Sequence, residues 1–195
     1  FLALHTAYRQ ATERLASLDE ALGREDARLQ PSPWEEVRDF FHYCDNYIDA
    51  VDRAAERFAG TVPPGQPVAE AAREALARHR ITVVETDDAD IRHLDAEAGI
   101  LRLSRRVPGP TRTFQMLLQL ALLTQERLLD ATLDLARFQT KEARDIAKIG
   151  LANYFAGAAM MPYQRFLAAA QETRHDLERL ADRFGASLEQ VAHRL

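Results

Sequence analysis

Between Gly99 and Gln125 the chain carries four arginines, Arg102, Arg105, Arg106 and Arg112, and no carboxylate. Guanidinium groups bind anions through charge and paired N–H donors, and they neither relay protons nor attack carbonyls. Other side chains with chemical potential are dispersed. Six histidines (His5, His42, His79, His93, His175 and His193) form no H-x-x-x-H pair, and Cys44 is the only cysteine. A lone cysteine excludes an internal disulfide and a multi-cysteine zinc site, and it fits a reducing cytoplasmic setting.

A net charge of −5 argues against nucleic-acid or membrane binding by the chain as a whole, because phosphate contacts need a basic face. No run approaches the ~20 uninterrupted apolar residues of a membrane span. With 195 residues, 47% of them apolar, a sizeable core is within reach. The first residue is Phe1 and the last residues still read as helix, so the chain is expected to be a piece of a longer protein.

The elements that must position these groups read as α+β, mostly helical. Leu4, Tyr8, Ala11, Leu15, Leu18 and Leu22 alternate spacings of four and three, and so do Val37, Phe41, Cys44, Ile48, Val51, Ala55 and Phe58. This a/d pattern predicts two long helices in an N-terminal helical hairpin over residues 1–60, either packed within the chain or used to form a homodimer. The linker GTVPPGQP (Gly60 to Pro67) separates it from a second unit over residues 68–195. There a short helix (Val68 to His79) precedes a small antiparallel sheet: a strand at Ile81–Glu85, then a hairpin of Ile91–Leu94 and Ile100–Ser104. Helices are expected over about Thr111–Leu135, Thr140–Met160, Tyr163–Gln171, Arg174–Phe184 and from Ser187 onward, with Pro162 as a divider.

The stretch RTFQMLLQLAL (Arg112 to Leu122) and the stretch LANYFAGAAMMP (Leu151 to Pro162) follow the small sheet and its Arg-rich turn. This layout resembles the ImmA/IrrE-type zinc metallopeptidases, whose helix carries R-x-F-x-x-x-H-E-x-x-H. On that alignment the two metal histidines fall on Leu118 and Leu122, the catalytic glutamate on Gln119 and the third ligand on Leu151. Leucine has no lone pair for a metal and glutamine takes no proton, so hydrolysis by this route is excluded. The chain is more closely similar to the short-chain fatty-acyl transcriptional regulators, a group that includes the propionate-responsive regulators of mycobacteria. The run from Leu151 to Leu195 carries that likeness, which is good from about Ile81 onward and weak before it.

The resemblance implies a short-chain acyl-coenzyme A as effector, no metal, and DNA contact only through a helix-turn-helix domain outside this chain. Leu118, Leu122, Leu151 and Phe155 then either line an apolar slot or simply fill the core. Each ligand methylene buried in such a slot is worth ~0.8 kcal/mol. Coenzyme A phosphates call for guanidinium or ammonium groups and its adenine for an aromatic ring. Arg112 and Tyr163 are the leading candidates. Arg105, Arg106, Arg80, Lys148, Arg165, Tyr154 and Phe166 follow. The C-terminal HDLERLADRFGASLEQVAHRL resembles a helix-turn-helix, with Gly185 at the turn and Ser187 as cap. Its acidic neighbours Asp176, Glu178 and Asp182 make it a poor reader of DNA and a better packing element. Two rival readings are a protein–protein or dimerisation module with a filled core and a cryptic metallopeptidase.

Overall fold

The computed structural model describes residues 32–88 and 90–195, so the first predicted helix, Leu4 to Leu22, lies outside the described residues. Helix α1 (Pro33–Tyr43) opens on a capping box in which Ser32 and Glu35 exchange side-chain and backbone hydrogen bonds. Helix α2 (Asp49–Gly60) follows. The single helix expected from Val37 to Phe58 is therefore two. Asp45 and Asn46 stand at φ of 50° and 55°, the left-handed region that short polar side chains tolerate best, and they turn the chain between the helices. The apolar seam survives the break. Val37, Ile48, Val51 and Ala55 are all buried in the one core of the described chain.

Helix α3 (Val68–Arg78) leads into strands β1 (Thr82–Thr86), β2 (Arg92–Asp95) and β3 (Ile100–Ser104). The sheet is mixed rather than wholly antiparallel. Its order is β1-β3-β2, with β3 parallel to β1 and antiparallel to β2. The strand order takes the connection from β1 to β2 past β3, and residues 86–88 lie at the end of β3. They are tied down there by Ser104, whose hydroxyl donates to the Asp88 carbonyl at 3.0 Å, and by the Arg105 N–H, which donates to the Thr86 carbonyl at 2.7 Å. At the other end Gly99 has φ 64°, and a Cβ there would stand 2.6 Å from the Arg80 carbonyl oxygen, so only glycine fits the turn.

Helices α4 (Gly109–Thr124), α5 (Glu126–Ala136), α6 (Lys141–Met160), α7 (Tyr163–Glu172), α8 (Leu177–Phe184) and α9 (Leu188–Arg194) complete the described chain. The helix expected over Thr111–Leu135 is interrupted at Gln125. There the Thr124 hydroxyl donates to the Leu120 carbonyl at 2.8 Å and accepts from the Gln125 side chain at 3.1 Å, local bonds that bend a helix. The helix expected from Arg174 starts at Leu177 instead. Arg174 and His175 take left-handed φ values that end α7, and Asp176 caps α8. Gly185 (φ 59°) and Ser187, in a capping box with Gln190, turn α8 into α9 where the sequence placed the turn.

Helix α6 is the axis of the body and packs against α1, α2, α4 and α5. Helix α4 is buried at six consecutive positions, Met116 to Ala121, so it has no solvent face along that stretch.

Candidate functional site

Leu118 (3% exposed), Leu151 (0%) and Phe155 (1%) are interior side chains of α4 and α6, and Leu122 sits partly buried at their edge. Gln119 is buried beside them. These residues offer no metal donor, so the positions do not fit the zinc of the peptidase layout. Among the described residues no group of three or more His, Cys, Asp or Glu is gathered closely enough to hold a metal ion. Leu118, Leu122 and Leu151 line neither of the two cavities described below; Leu118 and Leu151 belong to the buried core and Leu122 packs against it.

The larger cavity, about 650 Å3, opens nearby. Part of its lining is the proline-rich connection between α2 and α3 with the first residues of α3, from Val62 to Ala69. Another part is the end of α8 with its turn, Arg183 to Gly185. Thr113 of α4, Met160 at the end of α6, Pro162 and Arg165 of α7 close it. The sequence folds this way because proline at 63, 64 and 67 forbids a continuous helix there, while Pro162 ends α6 and redirects the chain. Arg165 has no ion-pair partner among the described residues, and Arg183 is held by Glu172 at 2.5 Å. Phe166 is buried, its ring 5.5 Å from that of Phe184. A chamber lined partly by apolar side chains and partly by polar ones, with two guanidinium groups among them, can take a hydrocarbon chain attached to an anion.

The remaining sequence candidates are not gathered around one point. Arg112 donates to the Val107 carbonyl at 2.5 Å and stands 3.6 Å from Glu85, while Arg105 faces Asp87 at 3.4 Å. Arg102 faces Asp95 at 3.5 Å. The stretch that carries no acid of its own thus receives acids from β1, β2 and the crossover. Only Arg106 of those four is exposed and without an ion pair among the described residues. Arg80 is exposed in a left-handed turn. Lys148 is held by Asp130 at 3.0 Å and Glu126 at 3.7 Å. Thr113 and Pro162, the chain neighbours of Arg112 and Tyr163, do line the large cavity.

Tyr154 and Tyr163 belong to a polar node that the sequence did not reveal. The Tyr154 hydroxyl donates to Asp52 at 2.8 Å, and Arg194 donates to the same carboxylate at 2.8 Å and to the Met161 carbonyl at 3.0 Å. The Arg194 guanidinium lies 5.7 Å from the centre of the Tyr163 ring, and the Tyr163 N–H donates to Glu56. Burial, then the hydrogen bond and charge of Asp52, push the Tyr154 phenol well above its ordinary range. Burial disfavours the charge on Arg194, but the bond to Asp52 and its charge outweigh that and raise its pKa. The heptad pattern marks Val51 as buried and gives no sign that Asp52 is buried too.

Residues 76–195 match the IrrE N-terminal-like domain. A propionyl-CoA carboxylase regulator of Cereibacter sphaeroides is 67% identical over 195 residues, covering the whole of this chain and 42% of that protein. The HTH-type transcriptional regulator PrpR of Mycobacterium tuberculosis is 38% identical over 204 residues, covering all of this chain and 41% of its own length. The solved structure of a Mycobacterium tuberculosis transcriptional regulator superposes with a TM-score of 0.80 at 39% identity, over 84% of this chain and 51% of that one. The chain spans about two fifths of the length of these curated relatives.

Proposed function

This chain belongs to the IrrE N-terminal-like domain family, and from that premise we propose that it is the effector-binding part of a transcription regulator that senses a short-chain acyl-coenzyme A. The observation that carries the reading is the cavity of about 650 Å3, apolar at Val62, Val68, Met160 and Phe184 and cationic at Arg165 and Arg183. Its volume lies within the ~300–1,000 Å3 range of small-molecule sites. The acyl chain lies along the apolar wall, and Arg165 meets a phosphate of the ligand. Arg112 and Tyr163 flank the cavity through Thr113 and Pro162. Leu118, Leu151 and Phe155 fix α4 against α6 and so set the gap between the Thr113 and Met160 walls. Leu122 supports them at the edge. Lys148, Tyr154, Arg80, Arg105 and Arg106 lie outside the lining of this cavity, so the reading rests on none of them. The name of the Cereibacter relative, a regulator of propionyl-CoA carboxylase, supports this ligand class.

In this reading the chain is not an enzyme, because a peptidase of this layout needs donors where leucine stands. DNA is met by a domain beyond these residues, and a homodimer through the N-terminal helices suits two-fold operators. Ligand bound between the proline-rich connection and the α8–α9 turn favours one arrangement of those walls and so biases the attached domain. The filled leucine core specifically favours a second reading, a protein–protein module with no ligand. Calorimetry with propionyl-coenzyme A against free coenzyme A separates the two. Tighter binding of the acylated form supports the sensor, and no binding of either supports the module.

A further inference from the structure

A second cavity, of about 310 Å3, shares no residue with the first. Its apolar floor is Ala54, Phe58, Ala75 and Leu120, and Arg57, Arg78 and His79 stand at its rim with Thr61, Thr124 and Gln125. No carboxylate lines it. Arg57 and Arg78 have no ion-pair partner among the described residues, whereas Arg73, Arg102, Arg105, Arg112 and Arg144 are each paired. The neutral polar groups are committed at least in part. Thr61 donates to the Phe58 carbonyl at 2.7 Å, Thr124 to the Leu120 carbonyl at 2.8 Å, and the Gln125 amide to Thr124 at 3.1 Å. The donors left for a guest are the two guanidinium groups, the imidazole and the second N–H of the Gln125 amide.

We infer that this cleft is a second ligand site, and that it takes a small organic anion with a dianionic head on a short apolar body. Two unpaired guanidinium groups match the paired oxygens of a phosphate monoester or a dicarboxylate. The floor of one aromatic ring and three aliphatic side chains matches the body. A volume near the low end of the ~300–1,000 Å3 range for ligand sites excludes a whole nucleotide coenzyme. Arg57 and Arg78 also lie in the last turns of α2 and α3, where a cation complements the helix end. That role accounts for their charge but not for an apolar floor between them.

The test titrates the 195-residue chain with phenyl phosphate and with phenylmalonate, following amide resonances, with inorganic phosphate and benzyl alcohol as partial probes. The expected result is binding of at least one dianion at or below about 1 mM, with shifts at Thr61, His79 and Gln125. Which dianion binds tells the phosphate from the dicarboxylate source. Arg57→Gln combined with Arg78→Gln weakens binding by about tenfold or more, while Arg165→Gln leaves it unchanged. Binding of neither dianion, shifts confined to the Arg165 and Phe184 region, or no loss in the double variant overturns the assignment. Inorganic phosphate binding as tightly as phenyl phosphate also overturns it, because the floor would then contribute nothing.

Discussion

Arg194, in the last described helix, donates to the carboxylate of Asp52 in α2 at 2.8 Å, and the two side chains are only 10% and 5% exposed. With Tyr154 on the same carboxylate and Met161 accepting from the same guanidinium, the pair is satisfied on both sides. It joins the C-terminal helix to the N-terminal ones across the end of α6.

A buried pair contributes little net stability, because desolvation offsets the attraction, but removing one partner leaves an uncompensated charge. Arg194→Met is therefore expected to cost roughly 3–5 kcal/mol. The combination of Asp52→Asn with Arg194→Met is expected to cost markedly less. Urea denaturation of the single and double variants measures both. Equal losses in the single and the double variant would show that the carboxylate was never the problem.

Tyr154 supplies a pH signature for the same node. Its pKa is raised in the folded chain, so the neutral phenol is favoured by folding. The unfolded phenol ionises near the ordinary value of about 10. The stability contributed is then complete below that value and is lost as pH rises above it towards the folded pKa. The urea midpoint of the parent chain should fall more steeply above about pH 10 than that of Tyr154→Phe. Parallel alkaline limbs in the two proteins would contradict this.

Much of the body was legible because it is written in local patterns. A helix with no polar face between Met116 and Ala121 had to be central, and Gly185 followed by Ser187 had to be a turn. Three features were hidden because they depend on distant partners or on one local bond. The heptad runs through Cys44 to Ile48 without marking the Asp45–Asn46 turn. The acid-free arginine stretch looked unneutralised until β1 and the crossover brought Glu85 and Asp87 to it. Asp52 and Arg194 are 142 residues apart, and neither has a neighbour in sequence that betrays the other. The candidate site was legible in part. Arg165 was among the sequence candidates, but Arg183 and the role of the proline-rich connection as a wall were not.

Gly150 and Phe41 set how closely α1 approaches α6. A Cβ on Gly150 would stand 2.9 Å from the Phe41 ring. Alanine is ordinarily better than glycine in a helix by about 1 kcal/mol. Gly150→Ala should nonetheless destabilise the parent chain, since overpacking costs roughly 1–3 kcal/mol. In a Phe41→Ala background the same change should stabilise. A double-mutant cycle by thermal or urea unfolding reads this reversal of sign, and additivity would mean that the ring moves aside freely.

The cavity with Arg165 and Arg183 yields the prediction on which the effector reading stands. Propionyl-coenzyme A should raise the unfolding free energy, by roughly 2.7 kcal/mol at 100 times its dissociation constant, while free coenzyme A should do less. Arg165→Gln removes a charge that has no other partner among the described residues, so it should weaken binding by about tenfold or more with little effect on the unliganded chain. Arg183→Gln removes a charge that Glu172 already shares, and its effect on affinity should be smaller. Leu118→Ala differs in kind, because it opens a buried cavity and should cost roughly 2–5 kcal/mol of stability. If Arg165→Gln leaves affinity intact while Leu118→Ala abolishes binding in chain that is still folded, the ligand lies among the leucines, and the larger cavity is not its site.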